Sequence, residues 1–219
     1  LCTLSEERIQ RELILSLQTK APNNFFKTLY DCNALSKLLP ECNLSQLTDP
    51  ECEVYKHFKK LNNALENDYL ILMAIYVSKE GKNKSTSNFP KLVRRLKFSK
   101  IIQEQISITS ENWEEIANVS KASTDSVLSL LKKTDAYRRI KRFKQILTSM
   151  EAMTSEYGVV LTKSLALLNH IIDNPVSIED TLKTKEYDNG KVADEIKKAL
   201  DKKRKEQINE ARILYVISK

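Results

Sequence analysis

Apolar residues recur along this chain at intervals of three and four, the spacing of helices with one buried face. Ile9, Leu13 and Leu17, with Ile14 beside Leu13, predict the first helix. Ser5 stands at its N-cap, and Glu6 and Glu7 lie in the first turn, where the helix dipole favours negative charge. Lys20-Ala21-Pro22 closes it, because proline turns the residue before it away from helix. Asn23 or Asn24 is the expected cap of a second helix that buries Phe25, Phe26, Leu29 and Tyr30. Asn33, which tolerates the left-handed conformation, is expected to end it. Ala34 to Leu39 then reads as a short helical turn closed by Pro40. Thr48-Asp49-Pro50-Glu51 predicts a helix start, with Val54, Phe58, Leu61 and Leu65 on one face as far as Glu66-Asn67. Asp68 to Lys79 is apolar nearly all round, as in a buried central helix. Glu80 to Asn88, EGKNKSTSN, reads as a disordered polar loop.

The second half continues in the same period. Phe89-Pro90 opens a helix with Leu92, Val93 and Leu96 inward and Arg94, Arg95 and Lys97 outward. Ser99 caps a long helix to about Val119. Ile101, Ile102, Ile106, Trp113 and Ile116 are its apolar positions, with Trp113 a packing anchor, and the β-branched Ile108 and Thr109 weaken its centre. Ser123-Thr124 caps a helix with Val127, Leu128, Leu130 and Leu131 inside. From about Ala136 another helix turns Ile140, Phe143 and Leu147 to one side. Tyr157 to Ile172 is an apolar-faced helix ended by Asp173-Asn174-Pro175. Ser177 caps a short helix to about Thr184, Asp188-Asn189-Gly190 marks a turn, and a final helix starts near Lys191. The expected fold is all-α, a multi-helix array without a sheet. The turn chemistry that sheets need is scarce in a chain with three glycines and five prolines.

Composition narrows the setting. The 219 residues leave room for one large domain or two small ones. No apolar run approaches a membrane span. The opening Leu-Cys-Thr has neither an initiator Met nor the pattern of a signal peptide, so the chain is expected to be the later part of a longer protein. Cys2, Cys32, Cys42 and Cys52 form no CxxC pair and only two histidines accompany them, which is not a zinc pattern. They read as reduced cytosolic thiols, with Cys32 buried on its helix. His57, on a lysine-rich helix face, and His170 read as surface or internally satisfied histidines rather than ligands.

The net charge of +7 attracts polyanions, and its placement matters more than its size. Lys132 to Lys144, KKTDAYRRIKRFK, holds seven basic residues of thirteen against the single acid Asp135, the footprint of a phosphate-binding surface. Tyr137 and Phe143 lie inside the run and could pack or stack. Arg138 and Arg142 have two readings: phosphate contact, or bracing Asp135 and capping helix ends. Arg139, Lys141 and Lys144 fit phosphate contact or plain solvation equally. Lys202-Lys203-Arg204-Lys205 is a second run, read as a ligand face or as a solvated face balanced by Glu206 and Glu210.

The wording of three segments goes beyond helical periodicity. LSxERIxxEL, APxxFFxxLxDCxAL and LxPE are carried by Leu4, Ser5, Glu7, Arg8, Ile9, Glu12, Leu13, Phe25, Phe26, Leu29, Asp31, Cys32, Ala34, Leu35, Pro40 and Glu41. They resemble the segment after the catalytic head of bacterial CCA-adding enzymes, the tRNA nucleotidyltransferase and poly(A) polymerase family. Asn33 stands where the family usually has Gly. Asp135, Ala136, Arg138, Arg142 and Gln145 are similar to the family's DAxRxPxRxxQL signature, with Ile140 in place of Pro. Glu195, Ile196, Leu200 and Arg204 are similar to its closing EIxxxLxxxR.

The resemblance implies a neck at 1–45, a helical body at 46–134 with a degenerate phosphohydrolase-like (HD) region, and a basic tail at 135–219. The counterpart of that region's His-Asp pair falls near Tyr76-Val77, residues unsuited to hold a metal. The parent would add C, C and A to tRNA 3′ ends from CTP and ATP with Mg²⁺. This part would hold the acceptor and T-arm side of tRNA through shape and phosphates, since the A-form major groove is too narrow for side chains to read. The implied RNA-binding residues are Arg138, Arg139, Lys141, Arg142, Lys144, Lys203 and Arg204, and the neck's structural residues are Ser5, Glu7 and Arg8. The chain has no Gly-Ser loop followed by DxD. Catalytic residues, metal ligands and a cofactor are therefore expected in a head preceding Leu4 and not here, and enzyme activity rests with the parent. Two other readings stay open: the same part of a poly(A) polymerase, or a non-catalytic helical scaffold of this descent that binds a protein.

Overall fold

Ser5, Ser99 and Ser123 each start a helix as their sequence positions predict. Their hydroxyls accept from the backbone N–H of Arg8 at 3.3 Å, Ile102 at 3.4 Å and Ser126 at 3.2 Å. The computed structural model describes residues 4–42, 45–61, 64–80, 88–177 and 192–217. Its helices are α1 (Glu6–Leu17), α2 (Asn23–Asp31), α3 (Leu35–Leu38), α4 (Glu53–Phe58), α5 (Glu66–Glu80), α6 (Phe89–Arg95), α7 (Lys100–Ala117), α8 (Thr124–Lys133), α9 (Ile140–Glu151), α10 (Thr154–Asp173) and α11 (Val192–Arg212). Short 3-10 turns occupy Pro40–Cys42, Ser45–Thr48 and Val119–Lys121, and a π-helical turn follows α11 at Ile213–Ile217. The fold is all-α, with no strand among the described residues. The chain forms two units, Leu1–Trp113 with Thr148–Met153, and Glu114–Leu147 with Thr154–Lys219.

Three helices end in the same closure without glycine. Asn33 after α2, Lys97 after α6 and Asp135 after α8 adopt the left-handed conformation, with φ of 52°, 55° and 54°. In each, the left-handed residue and the one after it donate back into the last turn. Asn33 and Ala34 donate to the Tyr30 and Leu29 carbonyls at 2.8 and 2.7 Å. Lys97 and Phe98 reach Arg94 and Val93, both at 3.1 Å, and Asp135 and Ala136 reach Lys132 and Leu131 at 3.0 and 2.9 Å. The residue that follows, Ala34, Phe98 or Ala136, is buried each time.

In the first unit, α5 buries every residue from Leu70 to Val77, which explains its apolar circumference. Asp68 starts it: one carboxylate oxygen accepts from the Leu65 N–H at 2.8 Å and the other from the Ser149 hydroxyl at 2.7 Å. This is the acidic half of a capping box.

Several sequence expectations are corrected here. No helix runs from Pro50 to Asn67. Asp49 instead accepts from the Glu51 N–H at 2.9 Å, which makes a turn, α4 closes at Phe58, and Leu65 is 59% exposed. Pro22, not an asparagine side chain, precedes α2, and of its expected apolar face only Phe26 is fully buried, with Tyr30 exposed. Cys32 is exposed at the α2 C-cap. Ile101 is 63% exposed, because the inward side of α7 runs through Ile102, Gln105, Ile106, Thr109 and Asn112. Gln105 is satisfied there by the Asn67 amide at 2.9 Å. Arg95 is half-buried on Glu41, and of the two readings of His57 the surface one does not hold, since the residue is buried. The expected loop at 80–88 and the Ser177-capped helix fall mostly at 81–87 and 178–191, outside the described residues, as does the Asp188-Asn189-Gly190 turn.

In the second unit, α11 runs antiparallel along α8. Lys132 pairs with Asp201, and Lys205 with Asp125 at 2.6 Å. Farther along, Thr124 meets Asn209 and Arg212 reaches the Ala122 carbonyl. Ile208 and Ala211 are fully buried along the same helix. α10 bends at its start, where Gly158 has φ 60° and ψ −150°. Beyond the bend the Ser164 hydroxyl accepts from the Ser120 N–H at 3.0 Å, tying α10 to the 3-10 turn.

Candidate nucleic-acid interface

The basic run of 132–144 is not one helix. Its centre, 134–139, is the joint between α8 and α9, created by the left-handed Asp135. Asp135 therefore projects its carboxylate beside the start of α9, and three arginines gather on it. Arg138 makes a double contact, Nε at 3.0 Å and Nη2 at 2.8 Å to the same oxygen, and the Arg139 Nε lies at 3.5 Å. Arg142 adds its charge to Asp135 and donates from Nη2 to the Thr134 carbonyl at 2.6 Å, capping the end of α8. The Arg138 hydrogen bond, with these neighbouring charges, holds the Asp135 carboxyl below its usual range. Arg138 remains 76% exposed on its side chain, so the ion pair leaves it open to solvent. The first turn of α9 contains no acidic residue.

The other cations distribute as follows. Lys133 meets Glu115 at 3.4 Å and Lys144 meets Asp173 at the end of α10. Lys141 is exposed and has no carboxylate partner among the described residues. From the second run, Lys202 lies 4.0 Å from Glu206, Lys203 is half-buried, and Arg204 crosses to the first run. Its guanidinium carbon sits 3.9 Å from the centre of the Tyr137 ring. Burial pushes the Tyr137 hydroxyl up to about 12. The structure thus brings Arg138, Arg139 and Arg142 together at Asp135, joins Arg204 to the same interhelix joint through Tyr137, and sends Lys144 to a separate partner.

Sequence reasoning missed the partners that join the runs, Asp201 and Asp125. A signal was present: Asp125 then Lys132 on α8 face Lys205 then Asp201 on α11, an opposite-charge order that suits antiparallel packing. At the neck, Ser5 caps α1, Glu7 pairs with Lys97 at 2.6 Å, and Arg8 supplies the N–H to that cap while its side chain is exposed. The Lys97 hydrogen bond draws the Glu7 carboxyl down. At the position compared with a metal-binding His-Asp pair, the Tyr76 hydroxyl donates to the Gln46 side chain at 3.3 Å and Val77 is buried. A phenol spent on an amide and an aliphatic side chain do not fit a divalent ion.

The described residues define an all-helical protein with an arginine-rich joint on its second unit. Comparison with known proteins places it further. The multifunctional CCA protein of Psychromonas ingrahamii is 26% identical over 168 residues, covering 66% of this chain and 41% of that protein. The CCA-adding enzyme of Pseudomonas putida is 28% identical over 148 residues, 68% of this chain and 37% of that protein. The multifunctional CCA protein of Legionella pneumophila is 26% identical over 203 residues, 81% of this chain and 50% of that protein. The chain is similar to these CCA-adding enzymes over 66–81% of its length, and it spans half or less of theirs. No protein-family model and no solved structure matches it.

Proposed function

We propose that this chain is the tRNA-positioning part of a CCA-adding tRNA nucleotidyltransferase, with neck, body and tail at 1–45, 46–134 and 135–219. The observation that carries the reading is the similarity over 66–81% of the chain, which takes in a run with seven cations in thirteen residues. Exposed ion pairs such as Arg138–Asp135 contribute little to stability, so their cations exchange readily onto phosphate. Arg138, Arg139 and Lys141 present charge to solvent around the α8–α9 joint and are the proposed phosphate contacts. Mg²⁺, CTP and ATP would act in the head of the parent and not on residues of this chain. The setting is the cytoplasm. Among the described residues no helix is long and apolar enough to cross a membrane.

A fluorescein-labelled acceptor/T-arm minihelix tests the reading. The chain should bind it with an affinity that falls steeply from low to moderate salt, and Arg139→Glu with Lys141→Glu should weaken binding at least tenfold. Equal affinity of the double variant and the unsubstituted chain would remove the joint from the proposal.

A further inference from the structure

The two basic runs lie some sixty residues apart in sequence, and one contact joins their centres: Arg204 over the ring of Tyr137. We propose that Arg204 is a positioning residue that serves the RNA surface through Tyr137 and does not itself touch phosphate. This rests on the tRNA reading above and assigns Arg204 a different part in it from Arg138 or Lys141.

Arg204 lies on the α11 face that carries Asp201 and Lys205, the residues fastened to α8. Its Nε is buried with no hydrogen-bond partner, and so is the Tyr137 hydroxyl. A guanidinium meant for phosphate stays largely exposed, as the Arg138 side chain does even while paired with Asp135. Arg204 instead spends its planar face on an aromatic ring, where the ring's electrons attract the cation strongly once water is removed. Tyr137 belongs to the joint that also holds Asp135, Arg138 and Arg139, two residues or fewer away in sequence. Fixing Tyr137 from α11 therefore fixes the geometry in which those arginines face a ligand.

Binding of the labelled minihelix across a salt series separates positioning from direct contact. Arg204→Gln and Tyr137→Leu should each weaken binding by about threefold to tenfold, the range a desolvated cation–π contact supports. The double variant should be no weaker than either single one. The slope of log affinity against log salt should stay that of the unsubstituted chain, since no phosphate contact is lost. Tyr137→Phe, which keeps the ring and removes only an unpartnered hydroxyl, should bind as the unsubstituted chain does and guards against a variant that fails to fold. The inference is overturned if Arg204→Gln reduces the slope by about 0.7–0.9, the value of one phosphate contact, while Tyr137→Leu binds normally. It is also overturned if Tyr137→Phe weakens binding as much as Tyr137→Leu. A complete lack of minihelix binding by the unsubstituted chain overturns the tRNA reading itself, and this inference with it.

Discussion

The Arg95 guanidinium grips the Glu41 carboxylate with Nε at 2.8 Å and Nη2 at 2.9 Å, and Nη2 also donates to the Leu38 carbonyl at 2.9 Å. One side chain thus fastens α6 to the end of α3 and the turn after it, across more than fifty residues of sequence. Burial alone would raise the Glu41 carboxyl, but hydrogen bonds from Arg95 and the backbone, with the Arg95 charge, leave it below its ordinary 4.5. A carboxylate depressed in the fold stabilises above its unfolded pKa and loses that contribution as pH falls through the folded value. Arg95→Met should therefore lower stability by about 2 kcal/mol at neutral pH, as expected for a half-buried charge-assisted pair. The deficit should shrink as pH falls through the depressed folded value, below which both proteins hold a protonated Glu41. Urea melts of the two proteins at pH 7 and pH 3.5 check both statements.

The left-handed residues give a second set of outcomes. Asn33 tolerates φ 52° only partly, so Asn33→Gly should raise stability by about 0.5 kcal/mol and Asn33→Ala should lower it by about 1 kcal/mol. Asp135→Gly is more informative. It relieves the same backbone strain and also removes the anion on which Arg138 and Arg139 gather. The melting temperature should hold or rise while affinity for the labelled minihelix increases several-fold. Tighter packing with weaker RNA binding would mean that Asp135 orients the arginines rather than occupying them.

Gly158 isolates backbone strain from packing. Its φ of 60° with ψ −150° lies where side-chain-bearing residues are rarely found, yet a Cβ placed there meets no atom within 4 Å. Gly158→Ala should cost about 1–3 kcal/mol through conformation alone. For a protein of this size each kcal/mol lowers the melting temperature by about 2–4 °C. An unchanged melt would mean that the bend at the start of α10 straightens at no cost.

What could be read in the sequence follows from how local each interaction is. Ser5, Ser99 and Ser123 were legible as caps because the partner N–H lies three residues on. Asn33 was legible because its residue type tolerates left-handed backbone. Lys97 adopts the same conformation with no such preference, and its reason is tertiary: Phe98 is buried and the chain must turn to bury it. The helix after Asp135 was placed from about Ala136 and starts only at Ile140, for the same cause, since Ala136 carries no mark of its burial. Arg95 was placed outward because its partner Glu41 lies in another segment. Arg204 was placed among RNA-binding residues because Tyr137 lies 67 positions away and nothing local pairs them. His57 is different: the lysines beside it suggested the surface, while the helical spacing of Val54, His57, Phe58 and Leu61 suggested the interior, and the interior is where it lies.

His57 is 4% exposed, and burial lowers its pKa to about 4, with Glu53 opposing and Lys60 and Lys79 reinforcing the shift. A histidine depressed in the fold takes up its proton in the unfolded chain first. Its contribution to stability is then complete above about pH 6.5 and is lost progressively as pH falls toward 4. The loss between pH 7 and 4.5 should be about 1–2 kcal/mol. His57→Gln, uncharged throughout, should be less stable at pH 7 but should hold a flat profile over that interval, where few carboxylates titrate. Parallel pH profiles for the two proteins would assign the acid sensitivity of the first unit to groups other than His57, with Glu41 the next to test.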